Sequence, residues 1–177
     1  MLDVGFGGDG ATKPLPLIPD APTRNLGTQE VRLVYGPLEN FSDQSQHHWI
    51  YQYRNSRAQD WNSLYAFPGI EFLQRDLEVM NHYTSTSVGD TNFQTRRVLG
   101  IRFLRGEVDA EGEAEIVGKV MLVDGDVKRN MGGKTSVITT CRTEEERVRA
   151  LKEYFNITLT EEEIHGVKGR NVELLGC

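Results

Sequence analysis

Three strand-like segments follow one another between residues 30 and 67 with no helical pattern between them. The segments EVRLVYG (30–36), HWIYQYRN (48–55) and WNSLYAF (61–67) are rich in β-branched and aromatic residues, and Gly, Pro, Asn, Ser or Asp flank each of them. Parallel neighbours in a sheet need a long crossover connection, which is usually a helix. The pattern therefore predicts an antiparallel sheet in this part of the chain.

The rest of the chain mixes helix and strand. Residues 71–82 carry apolar side chains at helical spacing, and strands are predicted at 96–105, 115–125 and 134–140. Residues 11–28 contain four of the six prolines and are predicted to be extended. With strands first, one short helix, more strands and a final helix, the predicted fold class is α+β.

The best-marked helix lies near the C-terminus. Thr143 followed by Glu146 is a capping-box pattern, and Thr160 begins a second one. Helical spacing predicts that one apolar face contains Val148, Leu151, Tyr154 and Phe155.

Composition excludes several classes of function. The formal net charge of −6 argues against a nucleic-acid partner, because no basic patch offsets it. No apolar run approaches the roughly 20 residues that span a bilayer, and the first residues do not form a signal peptide. Two cysteines are too few for a disulfide framework. A cytoplasmic protein without a membrane partner is expected.

Two glycine-rich segments only superficially match nucleotide-binding motifs. GFGGDG at 5–10 fits the dinucleotide pattern, but a helix must open at its last glycine, and ATKPLPLIP cannot form one. GGKTS at 132–136 ends like a phosphate-binding loop, but Lys128 occupies the position of the required first glycine. Both segments are interpreted as turns.

Residue types alone show no complete catalytic or metal site. Cys141 ends a predicted strand and Cys177 is the last residue, so each is more simply an incidental thiol than a nucleophile. The four histidines have no metal-ligand spacing, and no metal is expected.

The string LDVGFGGDG, followed by TKPLPL, resembles the segment of arylamine N-acetyltransferases that carries the aspartate of their Cys-His-Asp triad. The resemblance covers nearly the whole chain and is strongest to fungal members; it continues in family order through VRLVYGPL, HWIYQYR, LYAFPGIEFLQRDLEVMNHYTSTS, VKRNMGGKTSV and RVRALKEYFNITLTEEE. It implies an incomplete antiparallel β-barrel domain over residues 1–105 and a small α/β lid domain over 106–177.

The resemblance also implies roles for single residues. Asp3 corresponds to the triad aspartate, Phe6 would line the arylamine pocket, and Gly7 would lie between the amine and the cofactor. Thr86 and Ser87 match polar residues that contact coenzyme A. The implied activity is acetyl transfer from acetyl-CoA to an aromatic amine or hydrazine. Without the surrounding motif, Asp3 would be interpreted as a carboxylate that caps a turn.

One departure from the family pattern concerns the other two triad members. The family's cysteine and histidine precede its aspartate, whereas two residues precede Asp3 here and no R-G-G-x-C motif occurs. The predicted strand MLDV, which opens the chain, also suggests an abrupt start. We therefore expect a chain that lacks the family's N-terminal helical domain, is inactive alone and self-associates through an exposed barrel face. A non-catalytic relative that binds coenzyme A or an aromatic ligand, or an interaction module for a full-length relative, remain alternatives.

Overall fold

The computed structural model describes residues 1–3, 5–108, 110, 112 and 114–176. In this part of the chain the polypeptide forms short antiparallel sheets and a few helices. The strands are β1 Thr23–Arg24, β2 Glu30–Pro37, β3 His47–Arg54, β4 Asn62–Phe67, β5 Leu99–Val108, β6 Ala114–Val123, β7 Asp126–Asn130 and β8 Thr135–Thr140. The helices are α1 Gln74–Thr86, α2 Phe93–Arg96, α3 Glu144–Phe155 and α4 Glu161–His165.

The first sheet has the strand order β1-β2-β3-β4, and each neighbouring pair is antiparallel. Leu33 of β2 lies opposite Tyr51 of β3, which in turn lies opposite Tyr65 of β4. The antiparallel sheet predicted between residues 30 and 67 is therefore confirmed, with strand ends within one residue of the predicted ones. This register places two tyrosines side by side on one face.

Four buried apolar side chains form the core beneath this sheet: Leu15, Val31, Leu33 and Tyr51. Leu15 comes from the proline-rich segment, which is not helical; it contains bends and turns beside the short strand β1, and Pro19 forms a bridge with Leu33. Burying a side chain of this size contributes about 1.5–3 kcal/mol. The proline-rich segment therefore covers the sheet and brings the chain's first residues close to it.

The second sheet has the strand order β5-β6-β7-β8. The structure therefore contains two four-stranded sheets and no closed barrel among the described residues, and the α+β class is confirmed. Residues 1–3 are not in a strand, contrary to the strand predicted for MLDV, although the Leu15 N–H donates to the Met1 carbonyl at 2.9 Å. Val4 lies outside the described residues.

Helix α1 begins and ends later than the pattern predicted. Leu73 is its N-cap, and the Asp76 carboxylate accepts a hydrogen bond from the Leu73 N–H at 2.9 Å, so the helix begins at Gln74 rather than at the predicted residue 71. The hydroxyl groups of Thr84 and Thr86 donate to carbonyl groups one turn back, which lets these polar residues continue the helix. None of the residues in α1 is buried.

Helices α3 and α4 begin where their capping residues predicted. Thr143 and Thr160 are the N-caps, and their hydroxyl groups accept from the N–H groups of Glu146 and Glu163, both at 3.3 Å. The Glu146 carboxylate accepts from the Arg142 N–H, one residue before the cap.

The buried face of α3 differs from the apolar face that helical spacing predicted. Its buried residues are Arg147, Ala150 and Phe155, so only Phe155 belongs to the predicted set. The Arg147 guanidinium donates to the Glu144 carboxylate and to the carbonyl groups of Asp124 and Val172. Because these acceptors satisfy the charged group, an arginine can occupy a core position that the pattern assigned to apolar residues.

The chain divides into two compact units. Unit 1 contains Met1–Glu71, Phe103–Lys119 and Asn130–Thr135, and unit 2 contains Phe72–Arg102, Val120–Arg129 and Ser136–Cys177. The domain boundary at 105/106, the lid domain, the lack of a helical domain and the self-association stay predictions. No helix in the described ranges is long and apolar enough to span a membrane.

Candidate carboxylate site

Asp3 has three hydrogen-bond donors in unit 1. Its Oδ1 accepts from the backbone N–H groups of Gly5 and Phe6, both at 3.1 Å. Its Oδ2 accepts from the Tyr65 hydroxyl at 2.7 Å. Two donors are local and one comes from β4, so the carboxylate is fixed both within its loop and against the first sheet.

The same contacts keep Asp3 ionised. Burial raises the pKa of Asp3, but the hydrogen bonds from Tyr65, Gly5 and Phe6 together outweigh it, and the net pKa lies below the ordinary value. Burial and the neighbouring Asp3 carboxylate raise the pKa of Tyr65, which therefore stays a neutral donor. At neutral pH the site holds one fixed negative charge.

Aromatic rings form one side of this site. The Phe6 ring lies 5.3 Å from the Tyr65 ring, and Tyr65 stacks on Tyr51 with centroids 5.1 Å apart and planes 10° apart. Phe6 remains 37% exposed. An exposed aromatic ring beside a fixed carboxylate is a surface on which a flat organic ligand can pack.

Glycines let the loop turn tightly behind Asp3. The Gly10 N–H donates to the Gly7 carbonyl at 3.3 Å, and Gly8 has a positive φ of 73°. A Cβ atom at Gly10 would lie 2.4 Å from the Phe6 carbonyl oxygen. Any residue larger than glycine at position 10 therefore disturbs the backbone of the residue that binds Asp3.

A buried polar cluster behind the loop was not predicted from the sequence. Lys119 on β6 donates from Nζ to the Gly8 carbonyl at 2.6 Å and to Asp9 Oδ1 at 2.5 Å. Gln29 Nε2 donates to the same Asp9 oxygen at 2.8 Å. The only sequence signal was a lone lysine within the apolar run EIVGKVMLV, because an interior charge needs a buried partner.

Thr86 and Ser87 lie in unit 2, at the end of α1. The exposed Thr86 hydroxyl donates to the His82 carbonyl at 2.6 Å, and the Ser87 hydroxyl oxygen accepts from the Gly89 N–H at 3.3 Å. The Ser87 carbonyl accepts from Asn92 and Thr95 at 2.8 and 2.7 Å. The structure thus places Asp3, Phe6 and Gly7 in one unit and this pair in the other.

Cys141 does not have the surroundings of a reactive thiol. It is buried and unpaired, and burial raises its pKa, which disfavours the thiolate. Cys177 lies outside the described residues. Among the residues that are described, no group of three or more His, Cys, Asp or Glu side chains could hold a metal ion.

Comparison with known proteins gives a consistent result. The family model for N-acetyltransferases matches residues 1–164. The N-malonyltransferase FDB2 of Fusarium pseudograminearum is 33% identical over 94% of this chain and 49% of that protein. Its counterpart from Gibberella moniliformis is 30% identical over 92% of this chain and 47% of that protein. The chain thus spans about half the length of these relatives.

Solved structures share the fold. The arylamine N-acetyltransferase from M. tuberculosis matches with a TM-score of 0.69 and 22% identity, over 97% of this chain and 54% of that chain. The enzyme from Salmonella typhimurium matches with a TM-score of 0.64 and 24% identity, over 93% and 54%. The Mycobacterium marinum enzyme in complex with CoA matches with a TM-score of 0.62 and 17% identity, over 96% and 54%.

Proposed function

This chain belongs to the arylamine N-acetyltransferase family, and we propose that Asp3 is the carboxylate of a Cys-His-Asp triad for N-acyl transfer. The observation that carries this proposal is the set of three donors that fixes an ionised Asp3 beside an exposed aromatic ring. In such a triad the carboxylate orients the histidine and stabilises the imidazolium that forms when the cysteine loses its proton.

The proposed reaction has two halves. A cysteine thiolate attacks the thioester carbonyl of an acyl-CoA, a new C–S bond forms, and coenzyme A leaves as a thiol after taking the proton from the imidazolium. An aromatic amine or hydrazine then attacks the acyl-enzyme, and its N–H proton passes through the histidine to the departing cysteine sulfur. This chain contributes the Asp3 carboxylate, while Phe6 and Gly7 would contact the acceptor amine.

The donor is proposed to be a coenzyme A thioester held in part by Thr86 and Ser87. Acetyl-CoA is the donor that the family name implies, and the fungal relatives named N-malonyltransferases add malonyl-CoA as a candidate. The exposed Thr86 hydroxyl and the half-buried Ser87 hydroxyl, at the end of a helix, suit the polar parts of such a ligand.

Binding and turnover can be tested separately on these 177 residues. Titration calorimetry with coenzyme A is expected to show saturable binding that weakens in Ser87→Ala, while the exposed Ser136→Ala on β8 serves as the control. Thiol release from acetyl-CoA or malonyl-CoA with 4-aminobenzoate is expected to stay at the level of the enzyme-free blank. None of the chain's own residues matches the family's cysteine or histidine.

Each result has a clear meaning. Turnover above the blank would refute the expected inactivity of the isolated chain. Absence of saturable coenzyme A binding would refute the role of Thr86 and Ser87. Saturable binding of coenzyme A without turnover is the expected result, and it is also what a non-catalytic binding relative would show. Asp3→Asn in a fusion of this chain to the cysteine- and histidine-bearing part of a family enzyme distinguishes the two, because only a triad role predicts loss of acyl transfer there.

A further inference from the structure

The loop that follows Asp3 is too rich in glycine to keep one conformation without contacts from outside it. Four of the residues from 5 to 10 are glycines, and glycine loses more conformational freedom on folding than any other residue. Two donors to Asp3, the N–H groups of Gly5 and Phe6, belong to this loop. The orientation of these two N–H groups towards the carboxylate therefore depends on contacts between the loop and the rest of unit 1.

Residues 8–10 are held by polar side chains from elsewhere in unit 1. Lys119 binds the Gly8 carbonyl and the Asp9 carboxylate, as described above. The Tyr51 hydroxyl donates to the Asp9 carbonyl at 2.8 Å, and Asn25 Nδ2 donates to the Gly10 carbonyl at 2.9 Å. Three consecutive residues of the loop thus each bind a side chain that lies outside it.

Lys119 differs from the other anchors because it carries a charge in the interior. Its side chain is 1% exposed, and it reaches Asp9 across 110 positions of sequence. A buried ion pair contributes little net stability compared with apolar residues of the same size, although removing one partner is costly. Stability alone thus gives no reason for a lysine here. Its two acceptors, by contrast, both lie on the loop that follows Asp3.

We infer that Lys119 is a positioning residue: it clamps residues 8 and 9 so that the Gly5 and Phe6 N–H groups stay directed at Asp3 and Phe6 stays packed on Tyr65. This inference rests on the proposed role of Asp3. It adds a residue from β6 that acts on the site through the loop, since the acceptors of Lys119 are the Gly8 carbonyl and the Asp9 carboxylate.

The test follows the ionisation of Asp3 in the full 177-residue chain. The carboxyl carbon of ¹³C-labelled aspartate is titrated by NMR, and the Asp3→Asn variant identifies the resonance. In Lys119→Met the pKa of Asp3 is expected to rise towards its ordinary value, because the two backbone donors are no longer held in place. Lys128→Met, which removes the partly exposed ion pair with Asp126, is the matched control and leaves the Asp3 pKa unchanged.

A purely structural role gives a different result. In that case Lys119→Met lowers the free energy of unfolding but leaves the pKa of Asp3 where it is, and the inference is overturned. If Lys119→Met does not fold, Tyr51→Phe decides: it keeps the stack on Tyr65 and removes only the hydroxyl bonded to Asp9. An unchanged Asp3 pKa in Tyr51→Phe then overturns the inference, and a rise supports it. Measuring the pKa of Asp3 requires no acyl transfer. The result can therefore be interpreted even if the proposed function is wrong.

Discussion

The loop around Asp3 and the turn at Thr86–Ser87 differ in how far along the sequence their hydrogen-bond partners lie. In the Asp3 loop the local donors Gly5 and Phe6 are joined by distant partners, since Tyr65 lies 62 positions from Asp3 and Lys119 lies 110 positions from Asp9. In the turn, Thr86 bonds to His82 four positions back, and Ser87 bonds to Thr95 eight positions ahead. The first geometry depends on the whole of unit 1, whereas the second depends on its own short segment.

This difference matches the proposed tasks of the two regions. A carboxylate that orients a catalytic histidine must be held to within a fraction of an ångström, which needs support from packed neighbours. A turn that contacts a large ligand can adjust when the ligand arrives. The regions should therefore respond differently to equivalent substitutions.

The largest expected contrast concerns one glycine from each region. Gly10→Ala would place a Cβ atom 2.4 Å from the Phe6 carbonyl oxygen, so we expect a loss of about 1–3 kcal/mol in the free energy of unfolding. In Gly89→Ala the new Cβ atom would contact only the Ser87 hydroxyl oxygen, at 3.4 Å. This substitution should change the free energy of unfolding by less than about 0.5 kcal/mol. Urea unfolding of the two variants measures both. Equal losses would show that the Asp3 loop is no more constrained than the turn.

A smaller contrast comes from removing one hydroxyl group in each region. Tyr65→Phe removes a donor to a charged but partly exposed carboxylate and should cost about 1 kcal/mol at pH 7, whereas Thr86→Val should cost less. The folded-state pKa of Asp3 is lowered, so its stabilising contribution is present above the ordinary value of 3.8 and is lost as pH falls through the folded-state pKa.

The difference between wild type and Tyr65→Phe should therefore shrink when the pH is lowered from 7 to 3. The difference between wild type and Thr86→Val should stay constant, because a hydroxyl-to-carbonyl bond does not titrate in this range. Unfolding curves at several pH values measure both differences. A Tyr65→Phe effect that is independent of pH would contradict the described Asp3–Tyr65 bond.

The smallest expected effect is confined to the turn. Asn92 Nδ2 donates to the carbonyl groups of Thr84 and Ser87, at 2.9 and 2.8 Å. Asn92→Ala should reduce global stability by only about 0.5 kcal/mol, because these groups can bind water instead. Amide hydrogen exchange should accelerate within residues 84–95 and stay unchanged in residues 1–71. Acceleration in both ranges would mean that the turn is not the local unit described here.

The same contrast explains what could be predicted from sequence. The strands between residues 30 and 67 and the caps at Thr143 and Thr160 depend on neighbouring residues, and both were predicted within a residue or two. The end of α1 was missed because Thr84 and Thr86 have turn-like side chains that in fact bond back to the helix. The Lys119–Asp9 pair was missed because only the folded chain brings its members together.

The backbones of Gly27 and Gly132 lie close together in unit 1, as distant contacts also hold the Asp3 loop, and such contacts have a consequence for the order of folding. Cβ atoms at these positions would lie 2.5 Å from the Met131 carbonyl oxygen and 2.4 Å from the Thr28 nitrogen, and the Thr28 hydroxyl bonds to Gly132 across 104 positions. Closing loops of this length is slow and entropically costly. On a ribosome, the segment around Asp3 is made well before Lys119, yet it must wait until Lys119 has emerged before it can form all of its hydrogen bonds. The region with the most fixed geometry is thus among the last to acquire it.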